Sequence, residues 1–157
     1  MGNIIKTLDL FIRRILPPTV WLIVPIYIFN KDVNTLGPGN LKYIGYPILI
    51  IGLLIYVISL WHWDSKNTST VIDDGIYKYS RHPQWLGVVL ILFGDIFIFN
   101  SFKALIITII AFIGFNILII FIEEPNLKKI FGDKYADYCK NTNRWITSRK
   151  SSPKSTS

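Results

Sequence analysis

The sequence predicts an all-α protein, an integral membrane bundle of about four helical spans followed by a C-terminal amphipathic helix. Two observations lead to this fold class. Hydrophobic residues make up 51% of the 157 residues, and they stand in long uncharged blocks rather than in the alternation typical of half-buried strands. Several of these blocks reach or approach the length of about 20 residues that crosses a bilayer as a helix. The length of the chain fits a single domain.

Four uncharged or nearly uncharged blocks are the candidate spans, residues 15–30, 43–61, 84–100 and 104–122. The first block is short and contains Pro17, Pro18 and Pro25, so a tilted or re-entrant helix is the alternative to a full span. The third block carries one charge, Asp95. A carboxyl group within a span is costly unless it has a partner. We therefore expect Asp95 to make a structural polar contact, with an ion path as the alternative.

The segment after the last block predicts an amphipathic helix at the membrane interface. Its apolar positions recur at helical spacing, at Leu127, Ile130, Phe131, Tyr135, Tyr138 and Cys139. Gly132 is expected to weaken or divide this helix. From residue 147 the sequence TSRKSSPKSTS is polar and broken by proline. Residues 147–157 are therefore predicted to be a disordered tail, and residues 1–146 a single transmembrane domain.

Lysine and arginine lie mostly on one side of the predicted bundle, and Lys31, Lys42 and Lys103 are the exceptions. Because loops rich in these residues stay in the cytoplasm, both termini and the polar gap are predicted to be cytoplasmic. The net charge of +7 then indicates topology and attraction to the membrane surface rather than nucleic-acid binding. The gap at residues 62–83 and the stretch after residue 122 must emerge on the same membrane face.

A metal site is not expected from the sequence. The chain has one cysteine, Cys139, and two histidines. These are too few ligands for a Cys/His zinc site, and a single cysteine forms no disulfide within the chain.

The polar stretch GIYKYSRHPQWLG, residues 75–87, lies where the chain re-enters the apolar phase. Pro83 suits the first turn of a helix, and the free amides of that turn, with Arg81 beside them, can bind an anionic group. Tyr77 and Trp85 offer aromatic faces to a flat ring or a cation. The stretch therefore fits a ligand with an anionic end, a flat end and a positive centre. The plainer interpretation is a helix start within an aromatic belt, with Arg81 reaching to the membrane surface.

Two adjacent carboxylates, Glu123 and Glu124, end an uncharged run. A carboxylate is costly at such a place unless it is solvated or paired. Adjacent residues of a helix point about 100° apart. We therefore expect one of the two carboxylates to face the pocket formed by residues 75–87, and the other to face water or a basic partner. Two acids that merely end a span are the alternative.

Two stretches, STVIDDGIYKYSRHPQWLG at residues 69–87 and EEPNLKKIFGDKYADYCKNTNRW at residues 123–145, resemble the isoprenylcysteine carboxyl methyltransferase and phospholipid methyltransferase family. Its pattern is a Gly-x-Tyr, an Arg-His-Pro, an aromatic residue and a Gly, then a Glu-Glu pair and a Leu-x-x-x-Phe-Gly-x-x-Tyr-x-x-Tyr. The matching residues are Gly75, Tyr77, Arg81, His82, Pro83, Gly87, Glu123, Glu124, Leu127, Phe131, Gly132, Tyr135 and Tyr138. The resemblance implies that residues 1–146 form a membrane methyltransferase domain that uses S-adenosylmethionine.

The resemblance also implies which residues form the site. Cofactor contacts are expected at His62, Val71, Ile72, Tyr77, His82, Pro83, Gln84, Trp85 and Glu123. Glu123 would bind the charged amino-acid part of the cofactor. Arg81 and Glu124 are the candidate catalytic residues, Arg81 as a charged donor and Glu124 as a base for an acceptor that must lose a proton. Methyl transfer itself is an in-line displacement, which mainly needs alignment and the exclusion of water.

The methyl acceptor is expected to be hydrophobic or bound to the membrane. Ile119 stands where the prenylcysteine enzymes carry an arginine for the substrate carboxylate. A lipid amine or a small hydrophobic acid or thiol therefore competes with an isoprenylcysteine carboxylate as the acceptor.

Two other protein classes compete with the methyltransferase. One is a sterol-reductase-like membrane enzyme that uses NADPH. Such enzymes share the Arg-His-Pro, but they continue with an acid where this chain has Val88, and they lack the Glu-Glu pair. The other is a small membrane protein without enzymatic activity.

Overall fold

The structure, a computed structural model, describes residues 37, 39–64 and 70–146. These residues form helices and contain no strand, which confirms the predicted all-α class. The predicted first span, residues 15–30, and the predicted tail, residues 147–157, lie outside the described residues. The division of the chain at residue 146 stays a prediction.

Five α-helices follow one another in the described part of the chain: α1 Lys42–Asp64, α2 Pro83–Phe99, α3 Phe102–Leu118, α4 Glu124–Phe131 and α5 Asp133–Asn141. Short 3-10 turns occur at Gly39–Leu41 and at Gly75–Lys78. A π-helix at Ile119–Glu123 joins α3 to α4. The helical stretch Phe102–Phe131 is therefore continuous over 30 residues, and the two glutamates lie where its π-helix ends.

Two helical stretches, Gly39–Trp63 and Phe102–Phe131, are long and apolar enough to cross a membrane. Their most apolar parts are 22% buried among the described residues, whereas the core helix of a soluble protein is mostly buried. Large apolar side chains such as Ile110 and Ile113 face outward instead. The helix α2 is also apolar but is 17 residues long. Two of the predicted spans thus have the length and composition that a span needs, and the count of four stays a prediction.

The helices α1 and α2 run antiparallel and touch through their backbones at two pairs of glycines. A Cβ atom on Gly52 would lie 2.8 Å from the carbonyl oxygen of Gly87, and one on Gly45 would lie 2.7 Å from that of Gly94. Each pair is reciprocal, because a Cβ on Gly87 or Gly94 would meet its partner's carbonyl oxygen at 2.9 Å. Small residues are what allows helices to approach so closely in a membrane. We call these four residues the glycine seam.

The turn between α2 and α3 is fixed by Asn100, which has a left-handed backbone with φ of 50°. Its side-chain Oδ1 accepts from the backbone N–H of Gly37 at 3.0 Å, and its Nδ2 donates to the carbonyl of Gly37 at 2.7 Å. Ser101 caps α3, since its side chain accepts from the amide of Ala104. One turn later Thr108 donates to the carbonyl of Leu92 at 3.3 Å. The Thr108 bond ties α3 to α2, and the Asn100 bonds tie the turn between these helices to Gly37.

The hydrophobic core at the α2 N-terminal end joins all three long helices, through Tyr56, Val88, Leu92, Ala111 and Phe115. Trp85 packs against this core, so residues 75–87 rest on it. Farther along α2, Asp95 is buried, and its Oδ2 accepts no hydrogen bond from the described residues. The structural polar contact predicted for Asp95 stays a prediction.

The C-terminal segment is divided at Gly132, which separates α4 from α5 with a φ of 55°. This agrees with the predicted effect of that glycine. The helix α5 buries Tyr135 and Tyr138 and leaves its charged residues exposed. In α4 no residue is buried, and Ile130 is 70% exposed. The location of these helices at a membrane interface stays a prediction.

Candidate functional site

The two polar stretches that lie far apart in the sequence meet in the structure. The hydroxyl of Tyr138 donates to the carbonyl of Tyr77 at 2.7 Å. The backbone N–H of Arg81 donates to the carbonyl of Asn143 at 3.1 Å. The loop before α2 is thereby bonded to α5 and to the residues that follow it. The predicted meeting of the two stretches is thus seen in the structure, whereas the membrane face on which they lie stays a prediction.

His82 lies at the centre of this meeting point, with a carboxylate near each ring nitrogen. Its Nδ1 is 3.1 Å from Oε2 of Glu123, and its Nε2 is 3.6 Å from Oε1 of Glu124. The second distance fits an ion pair but is too long for a hydrogen bond. The side chain is 5% exposed. It is held there because Pro83 begins α2 and the backbone N–H of His82 donates to the Ser80 hydroxyl at 3.2 Å.

Glu123 is further held by Trp85. The indole Nε1 lies 3.0 Å from one carboxylate oxygen and 3.1 Å from the other, so it donates to both. The indole ring packs against Phe115 at 4.7 Å between centroids. The side chain of Glu123 is nevertheless 33% exposed. Since a carboxylate has about four acceptor positions, Glu123 keeps capacity for a further donor.

Glu124 is bound by two arginines. Nε and Nη2 of Arg144 donate to its two oxygens at 2.8 Å and 2.9 Å, which is the bidentate geometry of a strong ion pair. Nη1 of Arg81 lies 3.3 Å from Oε1. The pairing of Glu124 with two arginines agrees with the expectation that one carboxylate of the pair faces a basic partner. That Glu123 faces the pocket stays a prediction. The two side chains do diverge, towards Trp85 and Arg144, but the His82 ring between them is within reach of both.

The predicted donor Arg81 is already engaged in the structure. Besides its contact with Glu124, its Nη1 donates to Sγ of Cys139 at 2.7 Å. Its Nε is buried and has no hydrogen-bond partner among the described residues, and the same is true of the Tyr135 hydroxyl. Buried donors without acceptors are costly. These two groups are therefore candidate partners for a polar ligand, although neither atom is exposed in this structure.

His62 and Tyr77 form a second, connected group beneath the loop. Nε2 of His62 lies 2.8 Å from Oδ1 of Asp74, and its ring stacks on that of Tyr77 with centroids 6.0 Å apart. Gly75 has a φ of +56°, and a Cβ there would lie 2.6 Å from His62. The positive φ favours glycine at this position, and any larger residue would also displace the His62 ring. Tyr77 is 5% exposed and supports the loop from within.

The remaining predicted cofactor residues lie in different surroundings. Ile72 and Pro83 are buried, and Gln84 is half-buried in the first turn of α2. Val71 lines a groove of about 500 Å³ between residues 70–79 and α5. The other lining residues are Thr70, Asp73, Lys78, Tyr79, Lys134, Asp137, Tyr138, Asn141 and Thr142. His82, Glu123 and Glu124, together with the arginines and Trp85 that bind the two glutamates, are called the cluster below. His82 and the two glutamates do not line this groove, so the groove is separate from the cluster.

Two opposing effects act on the pKa of His82. Burial disfavours the charged imidazolium, but the hydrogen bond and the negative charges of Glu123 and Glu124 favour it more strongly, and the pKa is raised above its ordinary value. Protonated His82 therefore stabilises the fold. This stabilisation is complete below the unfolded-state pKa of about 6.5, and it is lost as the pH rises through the raised value of the folded protein.

We expect the melting temperature of the protein in detergent to fall as the pH rises from about 6.5 into the alkaline range. His82→Gln should remove most of this pH dependence, because glutamine carries no proton that titrates there. The measurement is thermal unfolding over a series of buffers. If the melting temperature of His82→Gln falls with pH as steeply as that of the wild type, a group other than His82 causes the pH dependence.

Arg144 is the site residue that the sequence analysis did not identify. It lies 20 positions after its partner Glu124, and the segment between them holds two helices. A lone arginine directly before Trp145 and the polar tail was the available signal. No rule of sequence spacing connects such an arginine to a carboxylate. The sequence alone therefore does not indicate that Arg144 pairs with Glu124.

Among the described residues, no three His, Cys, Asp or Glu side chains are grouped as a metal ion would need. The prediction that the chain binds no metal stays a prediction. Comparison with known proteins finds a match between residues 41–134, well over half of the chain, and the model of the phospholipid methyltransferase family. No curated protein and no solved structure is significantly similar to the chain.

Proposed function

Because the chain belongs to the phospholipid methyltransferase family, and is thus an integral membrane methyltransferase in the general sense, we propose that it transfers a methyl group from S-adenosylmethionine to a hydrophobic or lipid-borne acceptor. One observation carries the proposal. His82 of the first motif lies between Glu123 and Glu124 of the second, at 3.1 Å and 3.6 Å. Residues that the family pattern links in sequence are therefore linked in space.

The residues of the cluster fit the charged part of this cofactor. When bound, S-adenosylmethionine supplies a methyl group on a positively charged sulfur, together with an ammonium and a carboxylate. Glu123 has spare acceptor capacity for the ammonium group, and its partial exposure makes it accessible. The first amides of α2, which have no acceptor within the helix, and the unpartnered Nε of Arg81 suit the carboxylate. The indole of Trp85 supports Glu123 rather than standing free for a ligand.

The contacts of Glu124 argue for an anchoring role. Both of its oxygens accept from Arg144, and a guanidinium partner strongly favours the ionised carboxylate. A carboxylate held in this way is a poor acceptor for a proton from a substrate. The role of a base predicted for Glu124 stays a prediction. The pairing of Glu124 with Arg144 is better suited to an acceptor that is anionic before the transfer and so needs no base.

Ile119 bears on the kind of acceptor. Its side chain is uncharged and 0% exposed, so it can neither form an ion pair with an acceptor nor contact one at the protein surface. The ion pair that the prenylcysteine enzymes make from this position is therefore absent. This argues against an isoprenylcysteine carboxylate. Of the other acceptors, a small hydrophobic acid or thiol, which can be anionic before the transfer, fits the bound state of Glu124 better than a lipid amine, which needs a base.

Calorimetry in detergent tests the proposal by comparing S-adenosylhomocysteine with NADPH as ligands. We expect the first to bind and the second not to bind. Binding of NADPH alone would replace the proposal by the reductase alternative, and binding of neither would favour a protein without enzymatic activity. A methyl-transfer screen over membrane lipids, prenylcysteine analogues and small thiols then identifies the acceptor.

A further inference from the structure

The residues after α5 return across the site. Residues 142–146, which we call the C-terminal strap, contact the loop before α2 and then reach α3. The Ser80 hydroxyl donates to the carbonyl of Arg144 at 3.0 Å. At the far end of the strap, Nε1 of Trp145 donates to Oδ1 of Asn116 at 3.3 Å, and its ring lies 5.2 Å from that of Phe112. The strap thus fixes the position of Arg144 from both sides.

We propose that Arg144 is a positioning residue, which holds the carboxylate of Glu124 in place beside His82 and thereby sets the charge that the site offers to its ligand. The importance of this for catalysis rests on the proposed function. Arg144 lies outside residues 41–134, which match the family model, and it is not among the residues that carry the family resemblance.

The geometry of the ion pair supports this role. A carboxylate on a long side chain normally rotates, but the fork from Nε and Nη2 of Arg144 uses both oxygens of Glu124 and fixes its plane. In that orientation Oε1 stays 3.6 Å from His82, just beyond hydrogen-bond range. Without Arg144, Arg81 alone would hold Glu124 through Oε1, and the carboxylate could turn to accept a hydrogen bond from His82. In the presence of Arg144, Glu123 is therefore within hydrogen-bond distance of His82 and Glu124 is not.

The balance of charges around His82 makes the protonation of His82 depend on Arg144. The groups that face the cluster are Glu123 from the π-helix, Glu124 from α4, Arg81 from the loop, Arg144 from the strap, and Tyr135 and Cys139 from α5. Two arginines thus oppose two carboxylates. Removing Arg144 leaves the carboxylates in excess, and an excess of negative charge favours the protonated imidazole.

NMR titration of the imidazole signals tests this directly, because the chain has two histidines and His82→Gln assigns them. In Arg144→Ala we expect the pKa of His82 to rise above its wild-type value. Arg144→Lys, which keeps the charge but not the fork, should give a smaller rise. Lys140→Ala is the matched control, since Lys140 pairs with Asp137 on the exposed face of α5, and it should leave the titration unchanged.

An unchanged titration in Arg144→Ala would overturn the proposal. If Arg144→Ala unfolds, its two histidines titrate alike, and Arg144→Lys then decides between a rise and no change. In a second measurement, Arg144→Ala should bind S-adenosylhomocysteine roughly tenfold or more weakly, with partial recovery on adding guanidinium ion. If the wild-type protein binds no S-adenosylhomocysteine, the proposed function fails while the titration still tests the role of Arg144.

Discussion

Replacing Gly52 by leucine is expected to prevent α1 and α2 from packing, with a loss of about 3 kcal/mol in stability, the upper end of the usual cost of overpacking. A Cβ at this position would lie 2.8 Å from two backbone atoms, the carbonyl oxygen of Gly87 and the amide nitrogen of Ile91. Backbone atoms of a helix cannot rotate away as a side chain can, so the two helices must separate. Thermal unfolding in detergent, together with the monodisperse fraction after extraction, measures the loss.

Gly114→Ala is the matched control for the glycine seam. Gly114 also lies within a long apolar helix, but a Cβ there would meet nothing within 4 Å among the described residues. Alanine is favoured over glycine inside a helix by roughly 0.5–1 kcal/mol, so this variant should be as stable as the wild type or slightly more stable. A Gly52→Leu protein that melts at the wild-type temperature would show that the helices do not pack in this way.

Glu123→Gln is expected to weaken the binding of S-adenosylhomocysteine by roughly ten- to a hundredfold, the range of a hydrogen bond to a charged group. Glutamine has nearly the same shape and keeps an oxygen for the indole of Trp85. It loses the charge that faces Nδ1 of His82 and that suits an ammonium group. Calorimetry in detergent measures the affinity, and the melting temperature shows whether the fold is retained.

Asp133→Asn is the control for this variant. It removes one negative charge from the exposed first turn of α5, and it should leave the affinity unchanged. Wild-type affinity in Glu123→Gln would place the ligand elsewhere, and the groove lined by Val71 would be the next site to test. If both variants bind S-adenosylhomocysteine equally weakly, the loss comes from the net charge of the protein rather than from a direct contact between Glu123 and the ligand.

The sequence predicted the meeting of residues 75–87 with Glu123 and Glu124, because the order of apolar blocks places both stretches at the same end of the bundle. It did not predict that the ring of His82 lies between the two glutamates, within hydrogen-bond distance of Glu123 and slightly farther from Glu124. Their directions depend on the π-helix at Ile119–Glu123, and an extra residue in a helical turn leaves no clear trace in composition or periodicity. The position of Arg144 depends on a chain reversal through α4 and α5, which is a property of the fold.

The glycine seam was visible in the sequence but was not identified there. Gly45 and Gly52 are seven residues apart, as are Gly87 and Gly94. Such a spacing places small residues on one side of each helix. Glycine is common in membrane helices, and without the partner helix its spacing does not show which helix will pack against it.

The glycine seam also limits the route by which a membrane-dissolved molecule can reach the cluster. Where two backbones touch, no gap remains between α1 and α2 that is wide enough for an acyl chain. A lipid-borne acceptor therefore has no passage between α1 and α2 at the height of the seam. On the neighbouring flank of α2 and α3, the rings of Trp85 and Phe115 lie 4.7 Å apart and tilted to each other, and they would contact the hydrophobic part of an acceptor that entered there.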